Sequence, residues 1–429
     1  MTTGIFNSSN FETDLAKKSF AGMITRLMPN GSAPLFGLTS MLPSETAVQY
    51  EHGFFTKTML FPQVVVNGAI SAAATTTITV DDSSQMVAGM ILRNNTTGEN
   101  MVVTSVPSAT SIVVSRNVGS ATNYIAGGSD VDAIADNEVL VQVGTAYEEA
   151  SNRPDALNIT PVRITNYTQI FRNTWAISDS ARATQVIAGE TNVAESRQDC
   201  AAFHAADIEK ALFFGIKSTG TRNGQPYRTM DGLLNIVGNS SHYPAIYGGA
   251  TNIWDATTVT GTDANFDAVG TSTTYSELEY MLDSVSDQTT DPKGANERVL
   301  FCGGTAIRAI NQIGRLNGNY QLMDGQTNFG LRFKTLTMPR CTFRLIEHPL
   351  FNTNAVWTKM AVAVDLSTFR IAYLGDRKTQ SKEFNNQGNT AQDNGIDAVG
   401  GTLTTECTCV VKNPPANAVI TGLNKGAQG

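Results

Sequence analysis

One stretch, Thr191–Phe214, constrains the fold of this chain most, because it is the one long helix that the sequence predicts. A stripe of small and aliphatic residues runs along one side of it at helical spacing: Val193, Ala194, Ala201, Ala205, Ile208, Ala211 and Leu212. Phe203 and Phe214 project from a second side, so we expect a helix that is covered on two sides. At about 1.5 Å per residue it is about 35 Å long, enough to cross a whole domain. His204 borders the stripe and is expected to be a core histidine with satisfied hydrogen bonds.

The length and composition of the chain limit what it can be. With 429 residues it exceeds the roughly 250 to 300 residues at which a single core stops growing, so two or more domains are expected. Charged residues make up 16% of the chain, against roughly 25% in ordinary soluble domains, which favours extensive contact between subunits. The net charge of -8 argues against a typical nucleic-acid-binding protein, because phosphate contacts need clustered Lys and Arg.

Targeting signals and disulfides are not predicted. The N-terminal sequence holds no apolar signal core, and nowhere do about 18 apolar residues run together, so the sequence supports neither a secretory signal nor a membrane span. We therefore expect a protein that is made in the cytoplasm and does not enter a membrane. The five cysteines are odd in number and mostly isolated, which is not typical of a disulfide framework.

The N-terminal part of the chain predicts an arm, followed by a β ribbon. Residues 1–49 carry Phe20 and Ile24 at helical spacing, but helix-breaking residues follow soon, so this short element must lie on another surface. Gln49–Phe61 and Pro161–Ser178 have strand composition and are predicted to pair into a long ribbon. A two-stranded ribbon is marginal in water by itself, so we expect it to lie across another chain.

A small β domain is predicted between the two ribbon strands. Val64–Asn137 contains short β runs separated by clusters of Gly, Asn, Asp and Ser, at the spacing found in small barrels or sandwiches. The turn NTTGEN, with Gly98 placed for a positive φ, is its clearest hairpin signal. This block is therefore interpreted as an inserted all-β domain.

The chain beyond the long helix predicts an α+β domain. Thr274 and Glu277 form a capping box that starts a helix, and the strand RVLFC and the helix TAIRAINQI follow it. Helices and strands in this order indicate an α+β fold. After Leu331 the sequence is rich in strands, which the long helix is expected to help cover.

The search for catalytic and metal-binding motifs finds only incomplete ones. GNSSH, Gly238–His242, lacks the last glycine of a nucleophile elbow, and GIKSTG, Gly215–Gly220, lacks the spacing of a phosphate-binding loop. DVDAIADNE, Asp130–Glu138, lacks the glycine of a calcium loop. The histidines are far apart, and Cys407 and Cys409 have no further metal ligands nearby. We expect no catalytic residue, metal or cofactor, and a hydrolase is the weakest of the alternatives.

Seven stretches, taken in order, carry a resemblance to a known family. They are SFAGMITRLMPNGSAPLFGLTSML, HGFFTKTMLFP, TGENMVVTSV, GTAYEEASNRPDA, NYTQIFRNTWAISDSA, ADIEKALFFG and TLTTECTCVVKNPPANAVITGL. With these stretches the chain resembles the major capsid proteins of tailed bacteriophages, which have the Johnson (Hong Kong phage-like) fold also found in herpesvirus capsid floors. Within that group it is similar to the subgroup with a small β domain inserted beside the extended loop (E-loop).

The resemblance implies a division of the chain and an assembly. The expected parts are an N-terminal arm at 1–49, an E-loop region at 50–63 and 138–178, an inserted β domain at 64–137, a peripheral domain with spine helix and long strands at 179–235 and 345–429, and an axial domain at 236–344. Many copies are expected to form hexamers and pentamers and to close into an icosahedral phage head around double-stranded DNA. Such a protein is a structural component of the virion, not an enzyme.

The expected contacts between subunits lie on the arm and the E-loop: Phe20, Ile24, Phe54, Phe55, Lys57, Phe61, Arg163, Tyr167 and Phe171. Further expected partners are the portal, possible scaffolding or cement proteins, and packaged DNA through weak non-specific contact only. Assembly is expected in the cytoplasm of the host bacterium. The second interpretation is a β-rich adhesion or receptor-binding virion module, in which the inserted domain grips a host glycan.

Overall fold

The computed structural model describes residues 33–56, 62–71, 76–118, 133–157, 161–184, 192–242, 253–256, 273–283, 285–286, 297–316, 323–328, 331–384 and 398–425. The arm residues Phe20 and Ile24 and the loop residues Lys57 and Phe61, all predicted to contact other subunits, lie outside these ranges. The chain falls into two compact units. The first comprises Met1–Gly53, Thr165–Asn239 and Thr251–Gly429, and the second comprises Phe54–Ile164 and Ser240–Ala250.

The described residues contain six α-helices: α1 (Pro34–Ser40), α2 (Asp179–Ala183), α3 (Asn192–Phe214), α4 (Leu233–Gly238), α5 (Tyr275–Asp283) and α6 (Gly304–Leu316). The 23-residue helix α3 confirms the predicted long helix. The predicted capping box is also confirmed at the start of α5: the backbone N–H of Thr274 donates to Glu277 Oε2 (2.7 Å), and the N–H of Glu277 donates to Thr274 Oγ1 (3.3 Å).

The strands are β1 (Glu45–Ala47), β2 (Glu51–Thr56), β3 (Gln63–Val65), β4 (Thr77–Thr79), β5 (Met90–Asn94), β6 (Asn100–Ser108), β7 (Ser111–Ser115), β8 (Val139–Thr145), β9 (Val162–Tyr167), β10 (Gln169–Ser178), β11 (Ser218–Arg222), β12 (Gln225–Thr229), β13 (Ile253–Asp255), β14 (Glu297–Cys302), β15 (Met323–Asn328), β16 (Leu331–Thr337), β17 (Thr342–Glu347), β18 (Ala361–Val364), β19 (Phe369–Leu374), β20 (Gln380–Phe384), β21 (Ala398–Val411) and β22 (Ala418–Thr421). With the helices they confirm the predicted α+β class.

Helix α3 packs against a sheet in which β21 is the long central strand. β10 runs antiparallel to β21 from the pair Gln169 and Cys407 to the pair Ser178 and Ala398. β19 and β20 also pair with β21, and β1 lies beside β19. The helix therefore lies along the longest strands of the first unit, as expected for a spine.

The buried side of α3 differs from the predicted stripe. Cys200, His204, Ile208 and Leu212 are buried at a spacing of four residues, and Ile208 and Leu212 were predicted correctly. Phe203, however, is 57% exposed, so the prediction that it closes a second apolar side of the helix is wrong. The polar His204 lies on the side of α3 that packs against the sheet. Its neighbour Phe203 therefore points away from the contact between helix and sheet. A pattern of apolar residues alone could not show this.

A second sheet of the first unit has the order β13-β22-β18-β14-β17-β16-β15. Side chains alternate between the faces of its central strand β14. Val299 and Phe301 join the core cluster that contains Ile208 and Leu212 of α3. Leu300 and Cys302 face the cluster formed with α5 and α6. The spine helix thus helps cover both sheets, as predicted.

The six-stranded antiparallel sheet of the second unit has the order β3-β8-β5-β6-β7-β4 and its own apolar core. The predicted hairpin between β5 and β6 is confirmed, since the N–H of Gly98 donates to the Asn94 carbonyl (2.8 Å) and Gly98 has a φ of 78°. This sheet includes β8, which lies beyond the predicted end of the inserted domain at residue 137. In the first unit, the expected axial boundary at residue 344 falls within β17. The division into domains stays a prediction.

Candidate subunit interface

The ribbon is a two-stranded sheet of β2 and β9. At one end the backbone N–H of Thr168 donates to the carbonyl of Tyr50 (2.8 Å). On the strands themselves, Phe55 is 69% exposed, Arg163 is also exposed, and Phe54 is half-buried. The predicted ribbon is therefore present in part: β9 pairs with β2, whereas β10, the rest of the second predicted segment, pairs with β21. The paired strands display an aromatic ring and a cation.

Two cations lie on two tyrosines at the end of the ribbon that belongs to the first unit. Arg228 Cζ is 4.0 Å from the centre of the Tyr50 ring, and Lys217 Nζ is 4.5 Å from the centre of the Tyr167 ring. The ammonium of Lys217 also donates to the Thr165 carbonyl (2.9 Å) and to Thr165 Oγ1 (2.7 Å). We call these five residues the ribbon base. A cation over an aromatic face contributes about 0.5 to 1 kcal/mol at an exposed site, so each contact is weak.

The two cations of the ribbon base belong to a hairpin and its start: Lys217 directly precedes β11, and Arg228 lies on β12. β11 and β12 pair from Ser218 and Thr229 to Arg222 and Gln225. Both turn residues have positive φ, 53° at Asn223 and 73° at Gly224, which is the requirement of a two-residue type I′ turn. This hairpin was not predicted from the sequence. The Asn-Gly pair was the available signal.

A buried carboxylate holds α1 on the spine helix. Glu209 is fully buried, and its Oε1 and Oε2 accept hydrogen bonds from the backbone N–H groups of Leu35 (2.9 Å) and Phe36 (2.7 Å). His348, also fully buried, donates from Nε2 to Glu209 Oε1 (2.8 Å). We call Leu35, Phe36, Glu209 and His348 the Glu209 clamp. The residue before α1, Ala33, supplies no side-chain cap, so Glu209 satisfies donors at the start of a helix distant in sequence.

His204 forms a second buried polar contact on the same helix. Its Nδ1 is 2.7 Å from Asn173 Oδ1 and its Nε2 is 2.7 Å from Thr405 Oγ1. This confirms the predicted core histidine with satisfied hydrogen bonds. Burial lowers the pKa of His204, and the nearby carboxylate of Asp207 partly opposes that shift.

The cysteines on β21 are buried thiols, as predicted. Burial raises the pKa of Cys407 to about 12, and burial also raises the pKa of Cys409 well above its usual value. Among the described residues, no group of three or more His, Cys, Asp or Glu is placed to hold a metal ion. Within the same ranges, no helix is long and apolar enough to cross a membrane.

The predicted interface residues fall into three groups. Phe55 and Arg163 are exposed, while Tyr167 is half-buried in the ribbon base. Phe171 requires a correction. It is only 6% exposed and belongs to the core cluster around α3, because the inner face of β10 packs against that helix. Its role is to stabilise its own subunit.

Comparison of the sequence with known proteins identifies the family of the chain. Residues 4–424 match the family model of the SU10 major capsid protein. The major capsid protein of Pseudomonas phage PaMx41 is 38% identical over 433 residues, covering 99% of this chain and 97% of that protein. The chain therefore belongs to the SU10 major capsid protein family, a result that does not favour an adhesion module.

Solved structures from two phages and one encapsulin have a looser likeness to the chain. A structure from Microbacterium phage Oxtober96 superposes with a TM-score of 0.45 at 12% identity, covering 95% of this chain and 96% of that one. A structure from Mycobacterium phage Adephagia superposes with a TM-score of 0.45 at 9% identity, covering 97% of this chain and 98% of that one. The SrpI encapsulin of Synechococcus elongatus PCC 7942 superposes with a TM-score of 0.40 at 11% identity, covering 63% of this chain and 80% of that one. The family assignment rests on the sequence matches above.

Proposed function

We propose that this capsid protein assembles through hexamers and pentamers into an icosahedral phage head around double-stranded DNA, with the ribbon as the tie between subunits. The observation that carries the proposal is the exposed aromatic ring of Phe55 on the two-stranded sheet of β2 and β9. Two paired strands are marginally stable alone. Burying a side chain of this size contributes about 1.5 to 3 kcal/mol, which a neighbouring subunit would supply.

The geometry of such contacts favours a closed shell. Contacts that join different surfaces of identical subunits form rings when the rotation closes. A ribbon that lies on the next subunit can also add backbone hydrogen bonds to an exposed sheet edge. In this proposal Phe54, Phe55 and Arg163 meet a neighbouring chain, and so do Phe20, Ile24, Lys57 and Phe61, which remain predictions from the sequence.

Other partners complete the proposal. The shell would connect to a portal, would use scaffolding or cement proteins where the phage provides them, and would touch packaged DNA without sequence preference. Assembly would take place in the cytoplasm of the host bacterium. The protein would be a structural component of the shell and would carry no catalytic activity.

Replacement of Phe55 tests the ribbon directly. We expect Phe55→Asp to fold normally but to lose closed shells, because a carboxylate cannot be buried on the neighbour without a partner. Electron microscopy of the expressed protein measures shell yield, and circular dichroism checks folding. Val356→Asp is the matched control, since Val356 is 71% exposed and lies outside the ribbon. Normal shells from Phe55→Asp would show that the ribbon is not a tie between subunits.

A further inference from the structure

In the described part of the chain, one side of helix α6 is largely exposed. Its buried side is apolar, and Ala306, Ile310 and Ile313 pack into the core cluster on one face of the seven-stranded sheet. The opposite side, together with Asn424, lines an open groove of about 620 Å³. Among the residues that the structure describes, the helix thus packs with one side and presents the other to solvent.

The groove is basic. Arg308 and Arg315 both line it and both are exposed. They are two helical turns apart, about 10.5 Å along the axis. Neither arginine has a hydrogen bond or ion pair with another residue in the described part of the chain. The sequence of α6 contains no Asp or Glu, so a local positive charge stands out in a chain whose net charge is -8.

The side chains of the groove match the chemistry of phosphate esters. An arginine guanidinium presents a planar fork of donors that pairs with phosphate oxygens in a bidentate manner. Asn311, Gln312 and Asn424 also line the groove, and their amides are among the groups that contact a nucleic-acid backbone without reading its sequence. The set suits a ligand with repeated anionic charge.

The lining argues against a protein partner. The centres of protein interfaces are enriched in aromatic anchors and depleted of charge. The described residues around the groove include no aromatic side chain and no carboxylate. We propose that the α6 groove binds the sugar-phosphate backbone of double-stranded DNA. This inference rests on the proposed function, because DNA enclosed in a shell is concentrated enough to occupy a weak site.

The experiment compares two charge-matched double variants. Arg308→Gln with Arg315→Gln removes the groove charges, while Arg182→Gln with Arg222→Gln removes two exposed arginines elsewhere in the first unit. Binding of a short labelled duplex to each purified full-length protein is followed by fluorescence anisotropy from 50 to 200 mM salt. Electron microscopy of the same preparations records shell formation.

The expected result is specific to the groove pair. The loss of two phosphate contacts makes the slope of log K against log salt shallower by about 1.8. The ratio of the binding constant at 50 mM salt to that at 200 mM salt is therefore about 12-fold smaller for the groove variant than for the parent protein. The control pair should bind like the parent protein. Equal losses in both pairs, no loss in the groove pair, or no binding by the parent protein overturns the inference. If the groove variant bound DNA like the parent protein but formed fewer shells, the groove would be a contact between proteins instead. A parent protein that forms no shells would refute the proposed function, independently of the DNA-binding result.

Discussion

The Glu209 clamp and the ribbon base both join segments of the first unit through polar contacts, but their surroundings differ. The clamp is closed to water, with Glu209 and His348 both fully buried. The ribbon base is partly open, and Tyr50 is 48% exposed. Buried polar groups cost the most when one partner is lost, whereas exposed cation contacts contribute little. We therefore expect the clamp to contribute more to the stability of the fold than the ribbon base.

The largest effect is expected from Glu209→Ala. The change leaves the N–H groups of Leu35 and Phe36 and the Nε2 of His348 without their acceptor in a buried site. Breaking a buried charged contact in this way costs about 3 to 5 kcal/mol. Urea unfolding followed by circular dichroism measures the loss.

Glu209→Gln is the matched control for that change. The amide keeps the volume and one acceptor oxygen, so its unfolding free energy should lie between the parent protein and Glu209→Ala. If Glu209→Ala lost less than about 1 kcal/mol, the clamp would be no stronger than an exposed contact, and the contrast with the ribbon base would disappear.

An intermediate effect is expected from the pH dependence of His204. Burial lowers the pKa of His204 in the folded protein from its ordinary value of 6.5, so the unfolded chain binds the proton more readily. Stability is therefore fully present above about pH 6.5 and falls as the pH drops from there toward the folded pKa. Unfolding free energies measured between pH 8 and 5 should decline more for the parent protein than for His204→Gln. Parallel pH profiles would remove His204 as the cause.

The smallest effect is expected from Arg228→Gln in the ribbon base. Loss of the guanidinium over Tyr50 should reduce the unfolding free energy by about 0.5 to 1 kcal/mol. Arg222→Gln, at the exposed turn of the same hairpin, serves as the control and should have no measurable effect. A loss from Arg228→Gln as large as that from Glu209→Ala would mean that the two attachments do not differ in kind.

The sequence predicted the elements that depend on local patterns. The long helix, the capping box of Thr274 and Glu277 and the turn at Gly98 all follow from residues close in the chain. The hairpin at Asn223 was within reach of the same reasoning, because its Asn-Gly signal is local.

The remaining features depend on partners far apart in the chain. Glu209 contacts Leu35 and His348 across 174 and 139 residues, and no local pattern indicates that a glutamate on a helix will be buried. The predictions for Phe203 and Phe171 failed for the same reason. Whether each side chain is exposed or buried depends on which side of its element packs against the neighbouring sheet or helix. The ribbon was predicted as a pair of strands, but its cation contacts depend on the missed hairpin.

Cryo-electron microscopy of the purified, expressed protein would show whether the ribbon joins subunits of a shell. We expect closed shells built from rings of six and five subunits, in which the strands β2 and β9 of each chain lie on a neighbouring subunit with Phe55 buried. Shells in which Phe55 remains in solvent, or a protein that stays monomeric under all assembly conditions, would contradict it.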